Sequence, residues 1–288
     1  MERISSKVVV EKLAEIKRLP HMPEVLLELN RLLASPNGVH VNSVAKLIMQ
    51  DARLTAGLLK VVNSAKYQMG KPIDNLVDAI ARLGVNDLRV MALAINYGEA
   101  FSVAPLLDRE KFLNHGLLAA HIGAILAKSP RIGLNPYYGF MIGLMHEIGI
   151  YLLLQCAEVD YPAVVEGCRG RVISLVAVEN KQLGFSHSNV GARLLKIWGF
   201  PEPVYMGVLG HHAPNMLDAE HQLPASVGFL AEAAAFYLQG SNGVVEGDVG
   251  KLSDAVIMVL ARLGITEDEF KDLIEQGRIS AKEAGVVC

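Results

Sequence analysis

The sequence is poor in cysteine and contains no CxxC pair. Its three cysteines are Cys156, Cys168 and Cys288, and any single pairing leaves one of them over. This pattern argues against a disulfide framework and favours reduced thiols in a reducing compartment. We therefore expect a cytoplasmic protein.

The sequence also lacks a strong excess of charge. Only 20% of the residues are charged, and the formal net charge is −3. A general nucleic-acid binder needs a basic face to neutralise phosphates, so the charge balance argues against that class and leaves open only sequence-specific contact by a local patch. A DNA-binding regulator remains one alternative function, since short helices joined by turns are typical of helix-turn-helix units. DNA is not an expected partner.

The start of the chain, MERISSKVVVEKLAEIKRL, lacks the apolar core of a signal peptide. The longest apolar run, residues 137–154, approaches the length of a membrane span. It carries His146 and Glu147 at its centre, together with Gly139, Gly143 and Gly149. Because ionisable groups are costly at the centre of a bilayer, we predict a buried core helix and no membrane partner.

Long alternations of apolar and polar residues are absent, so the sequence offers no candidate for a sheet. Apolar residues recur instead at helical spacing, and 51% of the chain is hydrophobic. The pattern predicts helices over residues 7–18, 24–33, 109–128, 189–198 and 225–238, among others. The fold class is therefore predicted to be all-α.

What the sequence does have is an apolar segment, FMIGLMHEIGIYLLL over residues 140–154, which is polar only at His146 and Glu147. A helix that is hydrophobic on every side belongs in a core. Burying an imidazole beside a carboxylate costs free energy unless each group finds a partner, for which a cation or a set of hydrogen bonds would serve. We expect this pair to lie at the functional site.

Other histidines and one acid share this inward placement. His115 has Leu118, Ala119 and Ile122 on its helix face, and Glu232 is the lone charge in GFLAEAAAF. The candidate ligands are His115, His146, Glu147, His187, His211, His212 and Glu232. Imidazoles and carboxylates gathered around one site would suit iron, manganese or zinc. The alternative is a hydrogen-bonded polar core without a metal.

The order of these residues resembles the ligand series of the HD phosphohydrolase superfamily. Segments of the first half, LPHMPEVLLELNRLL, AKLIMQDARLTAGLLKVVNSAKY and IDNLVDAIARLG, resemble the HDOD domain, an HD-related output domain of bacterial signalling. GLMHEIG, HSNVGARLLKIWGFPEPV and GHHAP continue the resemblance over about residues 10–240. It implies an N-terminal helical subdomain over residues 1–105 and an HD-like helical bundle over 106–240. The unmatched residues 241–288 are predicted from their own pattern to form a helical tail.

The chain departs from the catalytic pattern of the superfamily at several positions. Glu147 stands where the family has the aspartate of its His-Asp pair, and Glu232 stands at the later aspartate position. Ile150 occupies the place of a lysine in the related HD-GYP phosphodiesterases, and no GYP follows His212. The bridging aspartate of those enzymes holds two metals, so a longer glutamate alters that geometry.

The resemblance therefore implies a non-catalytic regulatory module of bacterial signal transduction, which would bind a protein partner and, as a further candidate ligand, a nucleotide. The metal site would be vestigial or structural, and we assign no catalytic residue and no organic cofactor. The alternative is a metal-dependent phosphohydrolase or phosphodiesterase, because the histidine set is complete and both substituted positions remain acidic.

Overall fold

The computed structural model of the protein describes residues 24–33, 40–63, 71–100, 106–155, 159–168, 174–247 and 249–287. These residues are mainly helical and form no β-strand, in agreement with the predicted all-α class. The predicted helix over residues 7–18 lies outside the described residues. The chain divides into two compact units, one within His21–Ser102 and the other within Val103–Cys288.

The first unit is built from four helices in its described part: α1 (Glu24–Leu33), α2 (Val41–Ile48), α3 (Ala52–Val62) and α4 (Leu76–Ala100). Asp51 begins α3, since its side chain accepts hydrogen bonds from the backbone N–H groups of Arg53 and Leu54. Gly84 interrupts α4 with a φ of 71° and a ψ of 171°, which only glycine adopts without strain.

Asn63 fastens the segment that precedes α4 to the end of α3. Its side-chain amide donates to the carbonyls of Leu59 and Ile73, and its Oδ1 accepts from the Ile73 N–H at 2.8 Å. The sequence leads us to expect that Asn63, Ser64 and Tyr67 tie a loop to neighbouring helices rather than contact a ligand. Asn63 has that role, whereas Ser64 and Tyr67 lie outside the described residues.

The second unit contains the larger core. Its helices are α5 (Arg109–Lys128), α6 (Pro136–Met145), α7 (Ile148–Gln155), α8 (Tyr161–Glu166), α9 (Leu175–Gln182), α10 (His187–Ile197), α11 (Glu202–Gly210), α12 (Gln222–Gln239), α13 (Asp254–Leu263) and α14 (Glu267–Glu283). Two short 3₁₀ turns, Pro214–Met216 and Ala219–His221, connect α11 to α12. The last two helices pack in this same unit.

Helices α5 and α6 approach each other so closely that only glycine fits at their contact. A Cβ atom on Gly139 would lie 2.1 Å from the carbonyl oxygen of Gly123, and one on Gly143 would lie 2.2 Å from that of Ala119. The stretch Pro136–Gln155 is long and apolar enough to cross a membrane, but 94% of its most apolar window is buried. It is therefore placed as a core segment, as the sequence predicts.

Candidate metal centre

The centre is organised around a break between α6 and α7. The apolar segment 140–154 is not one continuous helix, because α6 ends at Met145 and α7 begins at Ile148. The ring of His146 folds back so that its Nδ1 lies 2.7 Å from the carbonyl oxygen of Gly143, which it binds in the last turn of α6. His146 and Glu147 are both buried at this break.

His211 repeats this arrangement at the end of α11. Its Nδ1 lies 2.6 Å from the carbonyl oxygen of Val208, three residues earlier in the chain. In both rings the bond to a carbonyl requires that Nδ1 carries the hydrogen, so that Nε2 presents a lone pair. Two helix ends therefore each supply one imidazole with its free nitrogen directed away from its own helix.

His115, on α5, faces His146. The Nε2 atoms of the two rings are 3.2 Å apart, and both side chains are fully buried. The close contact of α5 and α6 described above brings these two residues together. His115 therefore lies beside the break, as its inward-facing position on the helix predicts.

His187 is the first residue of α10, which Ser186 begins through a capping box with Asn189. Its Nδ1 lies 2.9 Å from both carboxylate oxygens of Glu179. Its Nε2 lies 3.0 Å from Glu147 Oε2, 2.9 Å from His212 Nε2 and 3.4 Å from His211 Nε2. One ring nitrogen cannot satisfy three such neighbours by hydrogen bonding.

His212 and Glu232 lie at the outer side of this group. His212 Nδ1 is 3.3 Å from Glu232 Oε2, and the two side chains are 26% and 13% exposed. Glu232 is thus placed behind His212, and it is absent from the two groups of donor atoms that lie close enough to share an ion. Those groups are Glu147, His187, His211 and His212, and His115, His146 and Glu147, with donor atoms within 4.8 Å of one another.

The donor set fits a divalent transition-metal ion. Four rings, those of His146, His187, His211 and His212, have Nδ1 beside an oxygen acceptor and Nε2 directed toward the cluster. Lone pairs that face one another at about 3 Å repel unless a cation or a proton lies between them. In addition, Glu147 Oε2 is buried, and the group that lies beside it at 3.0 Å is the His187 ring. Neutral imidazole and carboxylate are the ligands that iron, manganese and zinc accept.

Burial keeps most of these imidazoles neutral. It lowers the pKa of His115 to about 3 with help from the neighbouring His146, and it lowers the pKa of His212 to about 3 with help from His187. Burial likewise lowers the pKa of His146 and, together with the His212 ring, the pKa of His211. Neutral rings with free lone pairs are ready to bind a metal.

Neighbouring charges as well as burial shift the pKa values of His187 and of the acids beside it. Burial alone would lower the pKa of His187, but the charges of Glu179 and Glu147 hold that pKa well above its ordinary value. Burial would raise the pKa of Glu147, yet the facing His187 holds it well below the usual range. Burial and the nearby Glu147 charge raise the pKa of Glu232. Among the described residues, the ion pairs of these three acids come from histidines.

Comparison with known proteins identifies the family. A family model for the HDOD domain matches residues 19–214, which is more than half of the chain. The chain belongs to the HDOD family. The resemblance seen in the sequence motifs is thereby confirmed.

One curated relative and one solved structure illustrate what this HDOD chain is similar to. A protein of Treponema pallidum (strain Nichols), described as uncharacterised, is 25% identical over 239 residues, which cover 83% of this chain and 46% of that protein. The HDOD chain thus spans about half the length of this curated relative. A Geobacter sulfurreducens HDOD domain protein of unknown function has a TM-score of 0.69 at 24% identity, over 96% of this chain and 88% of that one.

A further solved structure extends the likeness in fold. A Shewanella amazonensis SB2B protein provisionally named a phosphohydrolase has a TM-score of 0.73 at 22% identity, and the match covers 97% of this chain and 99% of that one. At such identities the likeness establishes the helical fold alone. The chemistry of the HDOD chain must be argued from its own residues.

Three residues at the candidate metal centre were not predicted from the sequence. Glu179 and Tyr161 lie behind His187, and the hydroxyl of Tyr161 donates a hydrogen bond to Glu179 Oε1. Asn242 donates from its side-chain nitrogen to Glu147 Oε1 at 2.6 Å, from a position 95 residues farther along the chain. Its Oδ1 accepts from the backbone of Val244 and Val245, which holds the loop after Gly240 in place.

A cavity of about 900 Å³ opens onto the centre. Its lining includes Glu147, His187, His212 and Glu232, together with Lys111 and the loop at residues 241–246. Lys111 lies 3.7 Å from Glu246, and both of these side chains are more than half exposed. A small ligand therefore has room beside the histidine cluster.

Proposed function

We propose that this HDOD chain is a regulatory module of bacterial signal transduction that holds a divalent transition-metal ion and acts by binding a protein partner. The observation that carries the metal assignment is the set of imidazole Nε2 atoms that face one another around Glu147 Oε2, at separations from 2.9 to 3.4 Å. A cation resolves the repulsion among these lone pairs and compensates the buried carboxylates.

Glu147, His187, His211 and His212 would hold this ion, and His115 and His146 would complete a second group through Glu147. Three nitrogen ligands and one oxygen ligand suit zinc, and iron or manganese would add water or a ligand's oxygen atoms. A bound ion supplies positive charge that polarises an oxygen atom placed against it. The protein supplies the rings in one tautomer and a buried setting.

Two observations favour regulation over turnover. Ile150 is fully buried, where the related phosphodiesterases carry a lysine. No lysine or arginine among the described residues forms an ion pair with Glu147 or Glu232, and Lys111 in the cavity lining pairs instead with Glu246, so no second cation is held against these two carboxylates. The proposed partner is a protein in the cytoplasm, and a nucleotide in the cavity is the second candidate ligand.

The second candidate function is that of a metal-dependent phosphohydrolase. The observation that favours it is the 900 Å³ cavity, which reaches Glu147, His187 and His212 and has Lys111 in its lining. A phosphate ester bound there would lie beside the ion and within reach of one lysine. A divalent ion held by Glu147, His187, His211 and His212 would supply the Lewis acidity that hydrolysis of such an ester requires.

Metal analysis combined with a hydrolysis assay separates these functions. Protein purified without a histidine tag is expected to contain about one equivalent of iron, manganese or zinc by plasma mass spectrometry. After loading with each metal in turn, it is expected to leave cyclic dinucleotides and bis(p-nitrophenyl) phosphate intact. Steady turnover that a chelator stops would establish the phosphohydrolase instead, and protein that neither retains nor takes up a metal would overturn the metal assignment.

Metal affinity is expected to fall with decreasing pH in a characteristic way. His187, whose pKa is raised, carries a proton in the metal-free protein that an incoming cation must displace, whereas the other rings have lowered pKa values. Affinity should therefore fall about tenfold per pH unit, for one proton, once the pH drops below the raised pKa of His187, which lies above the ordinary 6.5. Calorimetric titration with Co²⁺ from pH 6 to 9 measures this slope. Constant affinity down to pH 6, followed by a steeper loss, would contradict it.

A further inference from the structure

A buried carboxylate lies directly behind the histidine cluster and belongs to neither group of candidate ligands. Glu179 lies on α9 and has no exposed surface. Its neighbour Tyr161, the first residue of α8, is also fully buried. A carboxylate in such a place is costly unless several donors surround it, so its partners define what it does.

The donors around Glu179 come from two residues. Oε1 accepts a hydrogen bond from the Tyr161 hydroxyl, and Oε2 lies 3.2 Å from the backbone N–H of His187. Both oxygens lie 2.9 Å from His187 Nδ1. Because Tyr161 and the backbone N–H bind opposite oxygens, the plane of the carboxylate is fixed. The imidazole that donates to it is fixed in turn.

The bond to Glu179 determines which nitrogen of the His187 ring faces the histidine cluster. With Nδ1 committed to Glu179, it is Nε2 that faces Glu147 Oε2 at 3.0 Å and His212 Nε2 at 2.9 Å, and displacement of its proton frees a lone pair there for a cation. The rings of His146 and His211 are oriented in the same way by bonds from Nδ1 to backbone carbonyls. His187 has a carboxylate behind it where these two rings have neutral carbonyls, which makes its Nε2 a more strongly donating nitrogen than theirs.

We propose that Glu179, held by Tyr161, is the positioning residue that orients His187 and sets the affinity of the centre for a divalent cation. The proposal rests on the metal-binding function proposed above. Residues in this relation to a metal-bound histidine typically change metal affinity by roughly 10- to 100-fold when they are replaced. Glu179 does not touch the ion in this scheme and acts only through the ring of His187.

The test compares Glu179→Gln and Tyr161→Phe with the wild-type chain. Each metal-free protein is titrated with Co²⁺, whose visible absorption reports the ligand field, in competition with a chromophoric chelator. We expect affinity to fall roughly 10- to 100-fold in E179Q and by a smaller factor in Y161F, with an altered Co²⁺ spectrum in E179Q. Tyr205→Phe is the matched control, since the Tyr205 hydroxyl donates to the exposed Glu202 and should leave affinity unchanged.

The outcomes are distinct. If the wild-type chain binds no Co²⁺, the proposed function fails and this inference fails with it. If the wild-type chain binds Co²⁺ and a folded E179Q has the same affinity and spectrum, the inference alone is overturned. A purely structural Glu179 would lower the melting temperature of the metal-free protein and leave the affinity of the folded fraction unchanged. Should E179Q not fold, Y161F decides, and unchanged affinity in that variant overturns the inference.

Discussion

Replacing His212 by alanine is expected to weaken the binding of a divalent cation by about 100-fold or more, since loss of a ligand exceeds the usual effect of losing a supporting residue. His212 Nε2 lies 2.9 Å from His187 Nε2, on the outer side of the donor set. Its side chain is 26% exposed, and its partner Glu232 also reaches solvent. Alanine therefore leaves no sealed, unpaired charge behind, and the fold should survive. A Co²⁺ titration followed by visible absorption measures the loss.

His40→Ala provides the matched control for this variant. His40 is exposed and lies at the start of α2, where its side chain makes no capping hydrogen bond. Its removal should leave Co²⁺ affinity unchanged. Wild-type affinity in a folded His212→Ala protein would show that this ring is not a ligand, whereas equal losses in both variants would point to a general effect of removing histidines.

Gly149→Ala is expected to lower the free energy of unfolding by about 3 kcal/mol or more, at the upper end of the usual cost of overpacking. A Cβ atom at this position would lie 1.9 Å from the carbonyl oxygen of His187 and 2.6 Å from its carbonyl carbon. Both atoms belong to the backbone, so no side-chain rotation relieves the clash. Helix α10 must move away from α7, and His187 would move with it. Urea unfolding of the metal-free protein, followed by circular dichroism, measures the effect.

Gly167→Ala tests whether the effect is specific to that contact. Gly167 has a helical φ of −60°, and the nearest atom to an added Cβ is the carbonyl oxygen of Val164 at 3.1 Å. The free energy of unfolding should change by less than about 1 kcal/mol, since alanine also reduces the entropy of the unfolded chain. Equal urea midpoints for the wild-type and Gly149→Ala proteins would contradict the close approach of α7 and α10.

Much of the fold can be predicted from the sequence because helical signals are local. The helices 24–33 and 109–128 are both present at the predicted bounds. The interruption at His146 could not be predicted from periodicity. It depends on a bond between the His146 ring and the Gly143 carbonyl. The apolar pattern continues without a change on either side of His146, as it would in one unbroken helix.

The residues of the candidate site were likewise predictable only in part. Inward spacing on a helix predicts that His115 is buried, and the structure places it against His146. Glu179 carried a usable signal, because Leu175 and Leu183 lie four residues to either side and Leu175 is buried with it. The polar residues next to it in VENKQ, however, favour the prediction of a surface helix. For Asn242 no local pattern could reveal a bond to Glu147, since that bond depends on how distant helices pack.

The part of the chain that follows the family match completes the interior. The match ends at residue 214, yet Asn242 bonds to Glu147 from beyond it, and Gly277 of α14 lies directly against Ile122 of α5. Grafting residues 19–214 alone onto another signalling protein would therefore strip the amide donor from Glu147 and uncover an apolar helix face. A chimaera meant to keep this chemistry must carry the sequence through to α14.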